Sequence, residues 1–147
     1  MRAVVQRVTG AQVSVGNEMI GSIGPGLLAL IGVQAGDTER DAFYLAEKIT
    51  KLRIFSDQEG KMNLSLADTR GEAMLVSQFT LMGDARGQNR PGFTAAEEPE
   101  EANRLFELCC ETVRARGIRT AQGVFRAHMS VSLVNDGPVT ILLDSRK

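Results

Sequence analysis

The run Leu27-Leu28-Ala29-Leu30-Ile31-Gly32-Val33 is the segment that most restricts what this chain can become. It shows no polar alternation, so neither face of an extended segment here is suited to water, and it falls well short of the roughly 18 apolar residues of a membrane span. Preceded by the turn-forming Gly24-Pro25-Gly26, it predicts the central strand of a sheet that is covered on both sides. With 147 residues, 43% of them hydrophobic, the chain has enough apolar material for one compact core and too little length for two ordinary domains. A single domain over residues 1–147 is expected.

The flanking patterns supply the rest of the sheet and its cover. β-Branched alternation over residues 2–8 and 11–15 is broken by Gly16-Asn17-Glu18 and resumes at Met19–Ile23, which predicts an N-terminal hairpin. Asp37-Thr38-Glu39-Arg40-Asp41 is a cap-like start with acids where a helix dipole favours them, and Ala42, Leu45, Ala46, Ile49 and Leu52 follow at helical spacing. A second helix is predicted from near Pro99, acidic at its start (Glu97, Glu98, Glu100, Glu101) and basic at its end (Arg114, Arg116). Its buried face is Ala102, Leu105, Phe106, Cys109 and Val113. Arg53–Ser56 and Asp57–Asn63 read as a strand, a polar turn and a return, Glu72–Leu81 as a strand, and Gly83–Pro99 as a long surface loop of the functional kind. After Gly117, Met129–Val134 alternates and Val139–Leu143 is apolar, with Asn135-Asp136-Gly137-Pro138 as the turn between them. Hairpins with interspersed helices predict an α+β domain, a curved and largely antiparallel sheet covered by two main helices.

A net charge of -1 and a pI near 5.9 lack the strongly basic footprint of a general nucleic-acid binder, so any RNA contact must be local. Met1-Arg2 leads straight into the strand pattern without an apolar leader, which predicts a cytoplasmic, unprocessed protein away from membranes. Cys109 and Cys110 are neighbours on a helix, where adjacent side chains diverge by about 100°; they read as reduced thiols, one packed and one partly exposed. One histidine and two adjacent cysteines do not make a zinc set, and no metal is expected.

Two short polar segments remain, each with a plain structural reading. Ser77-Gln78-Phe79-Thr80-Leu81 reads as the end of a buried strand with satisfied hydroxyls, and Asn135-Asp136-Gly137-Pro138-Val139-Thr140 as a turn. Arg7 reads as a solvated charge at a sheet edge, and Lys61, Arg86 and Arg90 as solvated loop charges. Together with Met1-Arg2-Ala3-Val4-Val5-Gln6-Arg7-Val8, however, the two segments closely resemble the D-aminoacyl-tRNA deacylases, along almost the whole chain.

The resemblance implies a sheet curling toward a barrel, and a homodimer with active sites at the subunit interface and no metal or organic cofactor. It implies hydrolysis of the ester of D-aminoacyl-tRNA, and of glycyl-tRNA mischarged on the alanine tRNA. Ser77, Gln78, Phe79 and Thr80 would form the wall where catalysis occurs. Gly137 and Pro138, joined by a cis peptide, would project into the other subunit's site as a chirality filter, with Asn135, Thr140 and Arg7 around them. Lys61, Arg86 and Arg90 become candidates for tRNA phosphates. The chain departs from the resemblance at Arg126, where a small residue is usual, at His128, where an acid is usual, and in Arg90-Pro91-Gly92-Phe93, where Arg-Pro-Ser-Phe is frequent. Two other classes fit the residues: a non-catalytic module binding a D-amino acid or nucleotide, and a hydrolase using Thr80 as nucleophile with His128 as base. Against the last, a histidine that departs from the resemblance is a poor candidate for a general base, and His128 reads as a surface or strand residue.

Overall fold

In the computed structural model, which describes residues 1–147, the chain opens with a 14-residue strand, β1 (Arg2–Val15). One edge of β1 is shared by two successive antiparallel strands, β2 (Glu18–Ile23) against Ala11–Val15 and β3 (Gly26–Gly32) against Arg2–Val8. Helix α1 (Glu39–Lys51) follows, then the small hairpin β4 (Phe55–Ser56) and β5 (Met62–Leu64), the short helix α2 (Leu66–Thr69), and β6 (Glu72–Ser77), parallel to β3. A 3-10 turn (Phe79–Met82), helix α3 (Pro99–Ala115) and β7 (Thr120–Gln122), parallel to β6, lead to β8 (Met129–Asp144). Strand β8 takes the other edge of β1, antiparallel, from Arg2 to Val15. The result is the expected α+β arrangement, a nearly closed barrel-like sheet, mixed because β3, β6 and β7 run parallel.

The continuous apolar run has a simple cause. Leu27, Ala29 and Ile31 of β3, with Ala73 and Leu75 of β6, join the core under the helices, whereas Leu28, Met74 and Val76 join a second cluster on the opposite face. Alternate side chains therefore go to different cores, and both faces must be apolar. In β1 the parity changes midway. Ala3 and Val5 belong to the helix-covered core, Val8, Ala11 and Val13 to the other. The pairing of β1 with β8 shifts register between Gln6 and Gly10, and an extra residue in a ladder turns the following side chains to the opposite face.

Helix α1 starts as its sequence predicts, with the Thr38 N–H donating to the Asp41 carboxylate at 2.8 Å. The α-amino group of Met1 is buried against Asp37 at 2.7 Å, and Arg146 pairs with the other Asp37 oxygen at 2.9 Å. These contacts tie the start of β1, the approach to α1 and the end of β8 to one point. No helix is long and apolar enough to cross a membrane.

Three expectations are corrected. The strand predicted over Glu72–Leu81 ends at Ser77, because its partner β3 ends at Gly32 and offers no further ladder. Asn135-Asp136-Gly137-Pro138 is not a turn between two paired strands: both flanks continue along β1, and the segment bulges out of one 16-residue strand. Both cysteines are buried, since α3 touches α1 as well as β3 and β6 and so is covered on more than one side.

Burial pushes the Cys109 thiol up to about 12, and raises that of Cys110 too, with the neighbouring Cys109 and Glu107 adding to it. Native protein is therefore expected not to react with an aromatic disulfide reagent at mildly alkaline pH, and to titrate two thiols in guanidinium; one thiol reacting in the native state would contradict the packing of α3. Arg126 has a φ of 67°, a left-handed conformation that costs a side-chain-bearing residue about 1 kcal/mol and glycine nothing. Arg126→Gly is expected to raise the melting temperature by about 2–4 °C. An unchanged or lower value would mean that the arginine side chain makes compensating contacts.

Candidate active site

Where β6 leaves β3, the chain turns sharply. The Gln78 N–H still donates to the Ile31 carbonyl at 2.8 Å, and then Phe79–Met82 wind into the 3-10 turn. The turn packs directly onto Gly32, where a Cβ would come within 2.8 Å of the Met82 methyl and 2.9 Å of the Gln78 carbonyl oxygen. The opening N–H groups of the turn, those of Phe79 and Thr80, have no partner within it.

Ser77, Gln78 and Phe79 form one side of a cleft of about 560 Å³. Phe125, Arg126, Ala127, His128 and Met129, on the approach to β8, line it as well, with Val33, Val76, Ala96 and Ala102 as apolar lining and Glu97 at α3. Phe79 is 57% exposed and is braced edge to face by Phe93, with ring centroids 5.1 Å apart. Phe93 comes from the long loop, which is held by the pairing of Asp84 with Gly92 and by the Ala35 N–H donating to Ala95 at 2.8 Å. Thr80 is exposed, and its hydroxyl oxygen accepts a hydrogen bond from the Gln78 amide. No hydrogen bond joins Thr80 to His128, so the nucleophile–base pair considered above is not formed. Phe125 and Ala127 carry no signal in the sequence that marks them, whereas Phe93 closes the Arg90-Pro91-Gly92-Phe93 segment as a lone aromatic in a loop rich in Gly, Pro and Arg.

The second segment lies elsewhere. Gln6 pairs with Thr140 and Val8 with Asn135, so Asp136, Gly137, Pro138 and Val139 stand opposite the single residue Arg7. The Gly137–Pro138 peptide is cis, and both residues are exposed. Arg7 donates to the Asp136 carbonyl at 3.1 Å and to the Ile54 carbonyl at 2.7 Å, and pairs with the Asp136 carboxylate at 3.3 Å. The Asn135 amide donates to the carbonyls of Arg7 at 2.9 Å and Val139 at 3.0 Å, closing the base of the bulge. The Thr140 hydroxyl accepts from Gln6 at 3.3 Å. The bulge is thus a held shape.

One chain does not bring the two segments together. Cross-strand partners place Asn135, Val8, Gly26 and Glu72 in one row and Leu143, Ala3, Ile31 and Ser77 in another. From the bulge to Ser77 is three strand spacings across and about four residues along, about 20 Å over the sheet. Nor do the three candidate cations line the cleft. Lys61, in the β4–β5 turn, is 3.8 Å from Glu59; Arg86 grips Asp84 at 3.0 and 2.8 Å; Arg90 is exposed in the same loop as Arg86. The side-chain and backbone hydrogen bonds from Arg86 hold the Asp84 carboxyl at about 2.

Comparison with known proteins matches this geometry to a family. The family model described as D-Tyr-tRNA(Tyr) deacylase matches residues 4–144. Relatives called D-aminoacyl-tRNA deacylase are 57% identical in Anaeromyxobacter dehalogenans and 54% identical in Thermoanaerobacter pseudethanolicus, each over 100% of this chain and 99% of the relative. The solved structure of a c-Myc DNA unwinding element binding protein is similar at a TM-score of 0.92 and 40% identity over 98% of both chains. A structure described as a probable eukaryotic D-amino acid tRNA deacylase, at 18% identity and a TM-score of 0.83 over 97% of both chains, shares the fold. With a match running through both polar segments and relatives more than half identical along their length, the chain belongs to the D-Tyr-tRNA(Tyr) deacylase family and is an ester hydrolase of D-aminoacyl-tRNA.

Proposed function

We propose that two copies of this chain work together in the cytoplasm, each lending Gly137 and Pro138 to the cleft of the other, and that the pair removes D-amino acids and glycine from tRNA while sparing L-aminoacyl esters. The observation that carries this reading is a mismatch of position: the bulge is held outward by Arg7 and Asn135, yet lies about 20 Å over the sheet from Ser77 of its own chain, and none of residues 135–140 lines that chain's cleft. A second copy supplies the missing proximity. Strand β8 supports that, being paired only with β1, so that a 16-residue edge is open, with Val134 61% and Leu142 76% exposed. Long uncovered edges are rarely left so in stable proteins, and a two-fold pairing would cover both copies at once.

Selectivity then follows from shape. Backbone carbonyls fixed beside the substrate Cα leave room for hydrogen and none for a side chain, so an L-residue collides and a D-residue does not. Glycine, with hydrogen on both sides, passes. In the reaction, water adds to the ester carbonyl carbon, and the negative charge that develops on its oxygen is met by the N–H groups that open the Phe79–Met82 turn. The bond to the ribose oxygen breaks, that oxygen takes up a proton, and free amino acid and tRNA leave. With no base paired to Thr80, the adjacent ribose hydroxyl of the substrate and the positioned water do the proton work. Phe79 packs near the terminal adenosine, Ser77 and Gln78 complete the wall, Thr80 and Thr140 shape the pocket, and Arg7 orients the filter. Lys61, Arg86 and Arg90 face phosphates, and the residues call for no metal or organic cofactor.

Purified protein incubated with D-tyrosyl-, L-tyrosyl- and glycyl-tRNA is expected to hydrolyse the first and third and leave the second; survival of all three esters would remove the proposal. Gly137→Ala sets a Cβ 2.7 Å from the Val139 methyl and 2.9 Å from its nitrogen. It and Pro138→Ala are each expected to cost about tenfold or more in D-ester turnover or L-ester rejection, about 1.4 kcal/mol, against about twofold for His128→Ala. Thr80→Ala should fall far short of the roughly million-fold loss that follows removal of a nucleophile. Equal kinetics across the filter and His128 variants would count against the filter.

A further inference from the structure

At the end of β6 remote from Ser77 lies a second cleft of about 710 Å³, between Pro25-Gly26, Phe55, the end of α2 and the segment leaving α3. It carries three guanidinium groups, Arg70, Arg116 and Arg119, and one carboxylate, Glu72, which is already paired with Arg119 and accepts from the Gly24 N–H at 2.7 Å. Arg70 and Arg116 are exposed and take part in no ion pair. In a chain of net charge -1 this is a local surplus. The field extends to α1, where Glu47 sits below the usual carboxylate range, first through its hydrogen bond with Lys51 and then through the charges of Lys51, Arg116 and Lys48. Arg70 also keeps a side chain at a φ of 56°, where glycine would sit without strain.

The position of this cleft ties it to the filter. Asn135, Val8 and Gly26 are successive cross-strand partners, so the cleft's rim at Gly26 is two strand spacings, about 10 Å, from the base of the bulge. Arg7 bonds both the Asp136 carbonyl of the bulge and the carbonyl of Ile54, the residue before Phe55. The bulge and the rim of the arginine cleft are therefore joined through one side chain. Planar guanidinium groups suit phosphate oxygens, and only three apolar residues line the cleft, which favours backbone phosphates over a stacked base.

We propose that Arg70 and Arg116 bind phosphates of the tRNA whose aminoacyl end lies in the other subunit's cleft, so that the subunit lending the filter also holds the RNA. This rests on the two-copy reading above. The test compares wild type, Arg70→Ala/Arg116→Ala, and Arg40→Ala/Lys147→Ala, which removes the same charge elsewhere. Each is assayed for binding of uncharged tRNA across a salt series, and for kcat/KM on D-tyrosyl-tRNA relative to D-tyrosyl-adenosine, an ester without the RNA body. For the arginine pair we expect tRNA affinity to fall about tenfold, the slope of log affinity on log salt to drop by between about one and two, and the kinetic ratio to fall about tenfold through KM. The control pair should match wild type in all three. Unaltered tRNA affinity and salt slope in the arginine variant, or equal losses in the control, would overturn the proposal. Failure of the wild type to hydrolyse D-tyrosyl-adenosine and D-tyrosyl-tRNA would overturn the function reading instead, whatever the binding series gives.

Discussion

Strand β1 is hydrogen-bonded along both edges, and the positions of the cleft and the bulge follow from how those edges are shared. On one side, β3 carries the sheet onward to β6 and the cleft beside Ser77. On the other, β8 follows β1 for nearly its whole length and departs from it at one place, opposite Arg7. The Arg7 side chain is only 13% exposed, and it satisfies two carbonyls and one carboxylate. Removing it would leave those groups without their donor in a partly dry setting, an asymmetry that makes such a residue hard to replace. A single, partly buried guanidinium thus holds the shape of the bulge.

Rigidity matters because no nucleophile and base are paired here. The cleft beside Ser77 is lined by a hydroxyl, an amide and an aromatic ring, and by Glu97, Arg126 and His128, yet no hydrogen bond joins Thr80 to a base. An enzyme of that kind lowers a barrier by positioning an ester and by presenting fixed backbone dipoles to developing charge, both of which depend on the scaffold holding still. The tight contact of the 3-10 turn with Gly32, the Phe93 ring against Phe79 and the bonded base of the bulge serve that end.

Much of this was legible beforehand because it is local. The stripe of Ala42, Leu45, Ala46 and Ile49 and the cap at Thr38 define α1 whatever surrounds them, and Pro99 with its following acids does the same for α3. What was misread depends on partners distant in sequence. Phe79, Thr80 and Leu81 favour strands, and nothing near them reveals that β3 stops at Gly32. Asn, Asp, Gly and Pro announce a departure from the ladder at 135–138 but not a return to the same strand. Cys110 lies off the apolar stripe assigned to α3 and is buried all the same, because α1 covers that helix as well.

The class of fold, the two helices, the doubly buried central strand and, through the two polar segments, the family can all be read from neighbouring residues. Periodicity, caps and motifs are properties of neighbouring residues, so they survive without coordinates. Coordinates are needed to see that the bulge stands about 20 Å over the sheet from Ser77, that Arg7 and Asn135 hold it, and that Arg70 and Arg116 share a cleft near its base. Those relations depend on register between strands more than a hundred residues apart, and register is set by which faces the two cores bury.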